Sequence, residues 1–157
     1  MTYQATTATF DTTPAILTME RRLPAPRARV FAALTRADML GRWCCPSSFT
    51  CPEAEADARV GGRYRLGMRA PDGSIHRVGG EYREIRPPDR LVFTWSWEGE
   101  HELAGHETLV TIELDDLGKS TMLRMTHTGL PSNSARISHR EGWTGAFDNL
   151  ARLVGQD

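Results

Sequence analysis

The chain has 157 residues, the length of one domain, and a domain of that size buries roughly two-thirds of its unfolded surface. Charged residues at 25% and apolar residues at 39% are ordinary for a globular fold, and a formal net charge of −1 leaves no basic field for nucleic acid. No apolar run reaches 18 residues, so no membrane insertion is expected.

The first fourteen residues are polar and rich in Thr, without the basic start and apolar stretch of a signal peptide. They read as a flexible lead-in, which leaves one domain over residues 15–157 and a cytoplasmic location. Three clustered cysteines, Cys44, Cys45 and Cys51, do not make the framework of a secreted disulfide protein.

In chain order, Ala15 to Leu23 predicts a strand that ends at Pro24 and Pro26. Val30, Phe31 and Leu34 then share a face at helical spacing, which predicts a helix from Pro26 to Thr35. A second short helix is expected from Ala37 to about Trp43, and Cys44 to Pro52 reads as a loop or irregular strand. From Arg63 the period drops to two. Tyr64, Leu66 and Met68 alternate with Arg63, Arg65 and Arg69, which predicts a strand with a wetted basic face. Pro71-Asp72-Gly73 is a hairpin signal before a return strand from His76 to Ile85.

After Pro87-Pro88-Asp89, Leu91, Phe93, Trp95 and Trp97 fall on one face of the next strand. Glu107 to Asp115 follows, and then Ser120 to Thr128, with Met125 and His127 on the inward parity. In the last segment Trp143, Phe147, Leu150 and Val154 recur at i, i+4, i+7 and i+11. They predict a long amphipathic helix starting between Ser132 and Ser138. Strands grouped apart from helices give an α+β fold with an antiparallel sheet of six or seven strands.

A helix is only about 10 Å across, far narrower than such a sheet. The sheet must therefore curl around the helix, and the curl leaves a gap lined by aromatic and Met side chains. That is the usual form of a small-molecule site. The residues that parity and spacing direct there are Trp43, Tyr64, Met68, Tyr82, Trp95, Trp97, Met125, His127, Trp143 and Phe147. Ordinary core packing accounts for the same residues if large side chains fill the gap. His127 is the candidate polar anchor, with Tyr64 and Tyr82 beside it, and the candidate general base if a carboxylate such as Glu81, Glu84 or Asp148 reaches it.

Adjacent Cys44 and Cys45 without a second spaced pair argue against a zinc site, so no metal is expected. His101-Glu102-Leu103-Ala104-Gly105-His106 spaces its histidines by five, not the four of a helical metalloprotease motif. It reads as a solvated hairpin loop, with a pocket rim or weak metal site as the alternative. No phosphate-cradling glycine loop or nucleophile elbow is present, and no cofactor is expected.

The runs Pro24-Ala-Pro-Arg-Ala-Arg-Val-Phe-Ala-Ala-Leu-Thr35 and Met39-Leu-Gly-Arg-Trp43 resemble the opening of the START-like, polyketide-cyclase-like superfamily. More narrowly, they resemble bacterial proteins related to the activator of Hsp90 ATPase. Gly61-Gly-Arg-Tyr64, Gly80 to Trp95, Thr126-His-Thr-Gly129 and Gly142-Trp143 follow the same pattern in order, over roughly residues 15–154.

The resemblance implies a helix-grip fold, a seven-stranded sheet gripping the C-terminal helix over a cavity. It also implies lipid, sterol, polyketide or hormone ligands, and it brings no universal catalytic residue. The chain departs from the pattern at Cys44-Cys45-Pro46, where many relatives carry a second Trp and a Gly-Pro. Three functions follow as expectations: binding of a small hydrophobic molecule, a cyclase, dehydratase or hydrolase acting on a polyketide-like substrate, or an Hsp90-type chaperone partner. Edge-strand pairing would make a homodimer.

Overall fold

The computed structural model describes residues 15–45 and 48–156. The proposed N-terminal lead-in, and Pro46 with Ser47, lie outside them.

Strand β1 (Ala15–Leu23) leads into helices α1 (Arg27–Thr35) and α2 (Ala37–Trp43). Strands β2 (Thr50–Ala56), β3 (Arg63–Arg69), β4 (Ile75–Arg86), β5 (Arg90–Trp97), β6 (Thr108–Asp116) and β7 (Thr121–Leu130) follow. Helix α3 (Asn133–Val154) closes the domain. The seven strands form one curved antiparallel sheet in the order β1-β7-β6-β5-β4-β3-β2, the helix-grip architecture expected. No helix among the described residues is long and apolar enough to cross a membrane.

Local chemistry explains several boundaries. Pro24 and Pro26 stop β1, and Pro26 caps α1 in an extended conformation with its carbonyl accepting from Arg29 and Val30. Asp72 Oδ1 accepts from Ser74 N at 2.9 Å while Gly73 takes φ 91°, a left-handed value open to glycine, so the β3–β4 hairpin turns where expected. Ser132 caps α3, its hydroxyl accepting from Ala135 N at 3.1 Å.

Strands β4 and β5 approach most tightly for a side chain at Gly80 among the glycines of β4. A Cβ there would lie 2.1 Å from the Thr94 carbonyl oxygen, and next to it Glu81 N donates to Thr94 Oγ1. The register between β4 and β5 shifts just beyond, between Tyr82 and Glu84.

The region read as a loop or irregular strand differs from expectation. Thr50–Ala56 forms a full edge strand against β3, with a register shift between Thr50 and Glu53. Pro52 lacks an N–H to donate, and an edge strand at a register break tolerates it. Because β1 and β2 occupy opposite edges, α1 and α2 carry the chain across the open side of the sheet beside α3.

Candidate functional site

Between α3 and the concave face of β3, β4 and β5 lies a cavity of about 250 Å³. Trp95 and Trp97 of β5 and Met68 of β3 form its sheet wall. His139, Gly142, Trp143 and Ala146 form its helix wall, and Cys44 bounds it at the end of α2. The partly exposed Phe49, His76 and His101 stand at its mouth. A second void of about 30 Å³, the room of one water molecule, lies deeper among Trp43, Tyr64, Tyr82 and Phe93. Trp95, Trp143 and Cys44 border both.

The structure therefore divides the ten residues selected from the sequence. Met68, Trp95, Trp97 and Trp143 line the larger cavity, and Trp43, Tyr64 and Tyr82 the smaller. Met125, His127 and Phe147 are packed behind these walls, each at most 1% exposed. Phe147 fills the space between Trp43 and Trp143, with ring centroids 6.4 and 5.4 Å away.

Hydrogen bonds fix the protonation of the buried imidazoles. An indole nitrogen can only donate, so Trp143 Nε1–H, 3.2 Å from His127 Nδ1, requires a lone pair on that nitrogen. The Thr108 hydroxyl spends its single proton on the Trp95 carbonyl at 2.9 Å. At 2.7 Å from His127 Nε2 it must therefore accept. His127 is thus a neutral Nε2–H tautomer with both nitrogens satisfied. Burial is the main cause that pushes its pKa down to about 3, with His139 adding to it.

His139 carries the opposite tautomer. Its Nδ1 donates to the Ala135 carbonyl at 2.8 Å, and its Nε2 accepts from Trp97 Nε1 at 3.1 Å. Burial lowers its pKa also. The two rings meet edge to face, 5.1 Å apart. A sheet histidine thus takes a proton donor from the helix, and a helix histidine takes one from the sheet.

Glu81, Glu84 and Asp148 do not serve His127. They pair with Arg83 at 2.9 Å, Arg90 at 3.1 Å and Arg21 at 2.6 Å. The buried Tyr64 hydroxyl donates to the Thr94 carbonyl, and burial raises its pKa well above the ordinary phenol value. Burial raises Tyr82 to about 12. Trp43 Nε1 donates to the Ala33 carbonyl at 2.8 Å. Of the four indoles only Trp95 has an N–H that is buried and without an acceptor among the described residues.

His139 and His101 are among the lining residues not selected from the sequence. His139 sits four residues before Trp143 on the same helical stripe, and extending that stripe to polar residues would have found it. His101, read as part of a solvated loop, stacks on Trp97 with centroids 4.4 Å apart and planes 4° from parallel. Its Nδ1 accepts from Leu103 N, and burial lowers its pKa. The rim alternative therefore describes it.

Solved structures share this architecture. Protein CV1439 from Chromobacterium violaceum is 30% identical, with a TM-score of 0.81 over 91% of this chain and 99% of its own. The AHSA1 protein SPO3351 from Silicibacter pomeroyi is 26% identical, with a TM-score of 0.80 over 89% and 97%. Protein NE0264 from Nitrosomonas europaea, at 22% identity and a TM-score of 0.76 over 88% and 93%, shares the fold. No curated protein matches the chain. The model of the family described as activator of Hsp90 ATPase homolog 1-like protein matches residues 24–155, and the chain belongs to that family.

Proposed function

We propose that the protein binds a small hydrophobic or aromatic molecule in the cavity between α3 and β3–β5, without a fixed catalytic step. The observation that carries this reading is the 250 Å³ of space that persists although Trp95, Trp97 and Trp143 are all large and all adjacent to it. A dry apolar cavity of about 150 Å³ already takes benzene, so this one suits a one-ring or fused two-ring guest.

Burial of apolar surface, at about 25 cal/mol per Å², supplies the affinity. The Trp95 N–H lies buried without an acceptor among the described residues, and a guest oxygen that reached it would gain a hydrogen bond. His127 has no free nitrogen with which to act on a substrate, which supports binding over acid–base chemistry.

Titration with the fluorescent fused two-ring compound 2-naphthol, followed by displacement with a panel of aromatic compounds, tests the reading. Saturable one-to-one binding that quenches tryptophan emission is expected. Failure of every compound to bind or displace at millimolar concentration would overturn it.

A further inference from the structure

Cys44 and Cys45 follow directly on helix α2, and β2 returns past that end carrying Cys51. The three sulfur atoms all lie within 4.8 Å of one another, with Cys44 Sγ 3.2 Å from Cys51 Sγ and 3.9 Å from Cys45 Sγ. All three are free thiols; Cys44 and Cys45 are buried and Cys51 half-buried. The adjacency of Cys44 and Cys45, which argues against a shared ion on spacing alone, does not keep their sulfurs apart. Cys45 is also anchored to α3, because Asn149 donates to its carbonyl at 2.7 Å.

We propose that these three thiols form a binding site for a trivalent thiophilic metalloid, the chemical class of arsenite. Coordination number comes first. Among the described residues no histidine or carboxylate joins the three sulfurs within that radius, so the group offers three soft ligands and no fourth. Zinc in a structural site takes four.

Distance agrees. Bonds of about 2.3 Å, the length zinc makes to thiolate, at angles from pyramidal to planar set sulfurs roughly 3.3–4.0 Å apart. The observed separations need only small side-chain rotations to reach that range.

Charge then selects among soft ions. Three thiolates on a monovalent or divalent ion leave a net negative charge against an apolar cavity, and a buried uncompensated charge is costly. A trivalent centre leaves none. The reaction is three thiols plus As(OH)3 giving As(S-Cys)3 plus three waters. Each S–H proton leaves with a departing hydroxyl, and no atom changes oxidation state. The site is separate in chemistry from the aromatic cavity, although Cys44 borders both.

The test is arsenite titration of the full chain, reduced with a phosphine so that no competing thiol is present, and read by native mass spectrometry. The expected product gains one arsenic and loses three hydrogens. Arsenic X-ray absorption on the unsubstituted protein should count three sulfur neighbours, which needs no variant to fold. C44S, C45S and C51S should each weaken binding by more than about 100-fold, beyond the ~10- to 100-fold that outer-sphere partners cause. Circular dichroism identifies any variant that unfolds.

A product that loses only two hydrogens, retention of affinity in C45S, or no bound arsenic would each overturn the proposal. So would tighter binding of Zn(II) or Cu(I) in parallel titrations. Binding of apolar fluorophore is read separately, so loss of either activity alone distinguishes this site from the aromatic one.

Discussion

Trp143 donates its indole N–H to Nδ1 of His127 at 3.2 Å, and that bond leaves no place for a second proton on the ring. His127 is held neutral, with a pKa lowered to about 3 from its ordinary 6.5 chiefly by burial. Between those values the unfolded chain takes up a proton that the native protein refuses. Stability from this group is therefore complete above pH 6.5 and is lost as pH falls toward 3, by up to about 1.4 kcal/mol per pH unit. His139 acts in the same direction. Nitrogen-15 NMR should find His127 in the Nε2–H tautomer down to about pH 4. Urea unfolding of H127Q at pH 7 and pH 4.5 should show a shallower acid loss than the unsubstituted chain, the carboxylate contributions cancelling in the comparison. A His127 midpoint near 6.5 would contradict the assignment.

Gly142 lines the cavity from within α3, and nothing lies within 4 Å of where its Cβ would stand. Glycine inside a helix costs about 1 kcal/mol relative to a good helix former. G142L should therefore leave Tm unchanged or raise it, while its side chain occupies the guest's space. A loss of fluorophore affinity of at least about tenfold, roughly 1.4 kcal/mol, is expected by titration. Unaltered binding would mean that guests lodge elsewhere.

Trp97 and His139 join β5 to α3 through one partly buried hydrogen bond. W97F leaves His139 Nε2 without a donor and H139L leaves the indole without an acceptor, each costing about 1–3 kcal/mol. The double variant should be less damaged than the sum, with a coupling of about 1 kcal/mol in urea denaturation. Strict additivity would show the bond to be energetically idle.

Trp95 keeps a buried N–H with no acceptor among the described residues. W95F removes the donor and keeps most of the ring. It should weaken guests that carry an inward oxygen by about 1 kcal/mol relative to their hydrocarbon analogues, compared by calorimetry. Equal weakening of both would assign the loss to packing.

The fold was legible where periodicity was strong. The alternation in β5 and the Trp143–Val154 stripe in α3 each come from one buried face, and Pro87-Pro88 and Asp72-Gly73 marked the turns on either side of β4. Strand β2 was illegible because an edge strand buries little. Its Cys, Pro and Glu residues make no apolar face, and only its pairing with β3 defines it.

The aromatic wall was visible by parity, but parity could not say which residues face the void and which stand behind it. Met125 and His127 share the inward side with no access to the cavity. His101 reaches Trp97 by a loop path that no local pattern encodes. The approach of Cys51 to Cys44 depends on how β2 folds back along α2, and a sequence separation of seven does not specify it.

The two histidine–tryptophan bonds run in opposite directions between α3 and the sheet, one from the helix to β7 and the other from β5 to the helix. They act as struts of set length. Neither wall can settle inward when the chamber is vacant, and neither must be prised back when a visitor arrives. Entry should then proceed as one encounter, its observed rate climbing in proportion to visitor concentration with no plateau, because no slow unlocking precedes it.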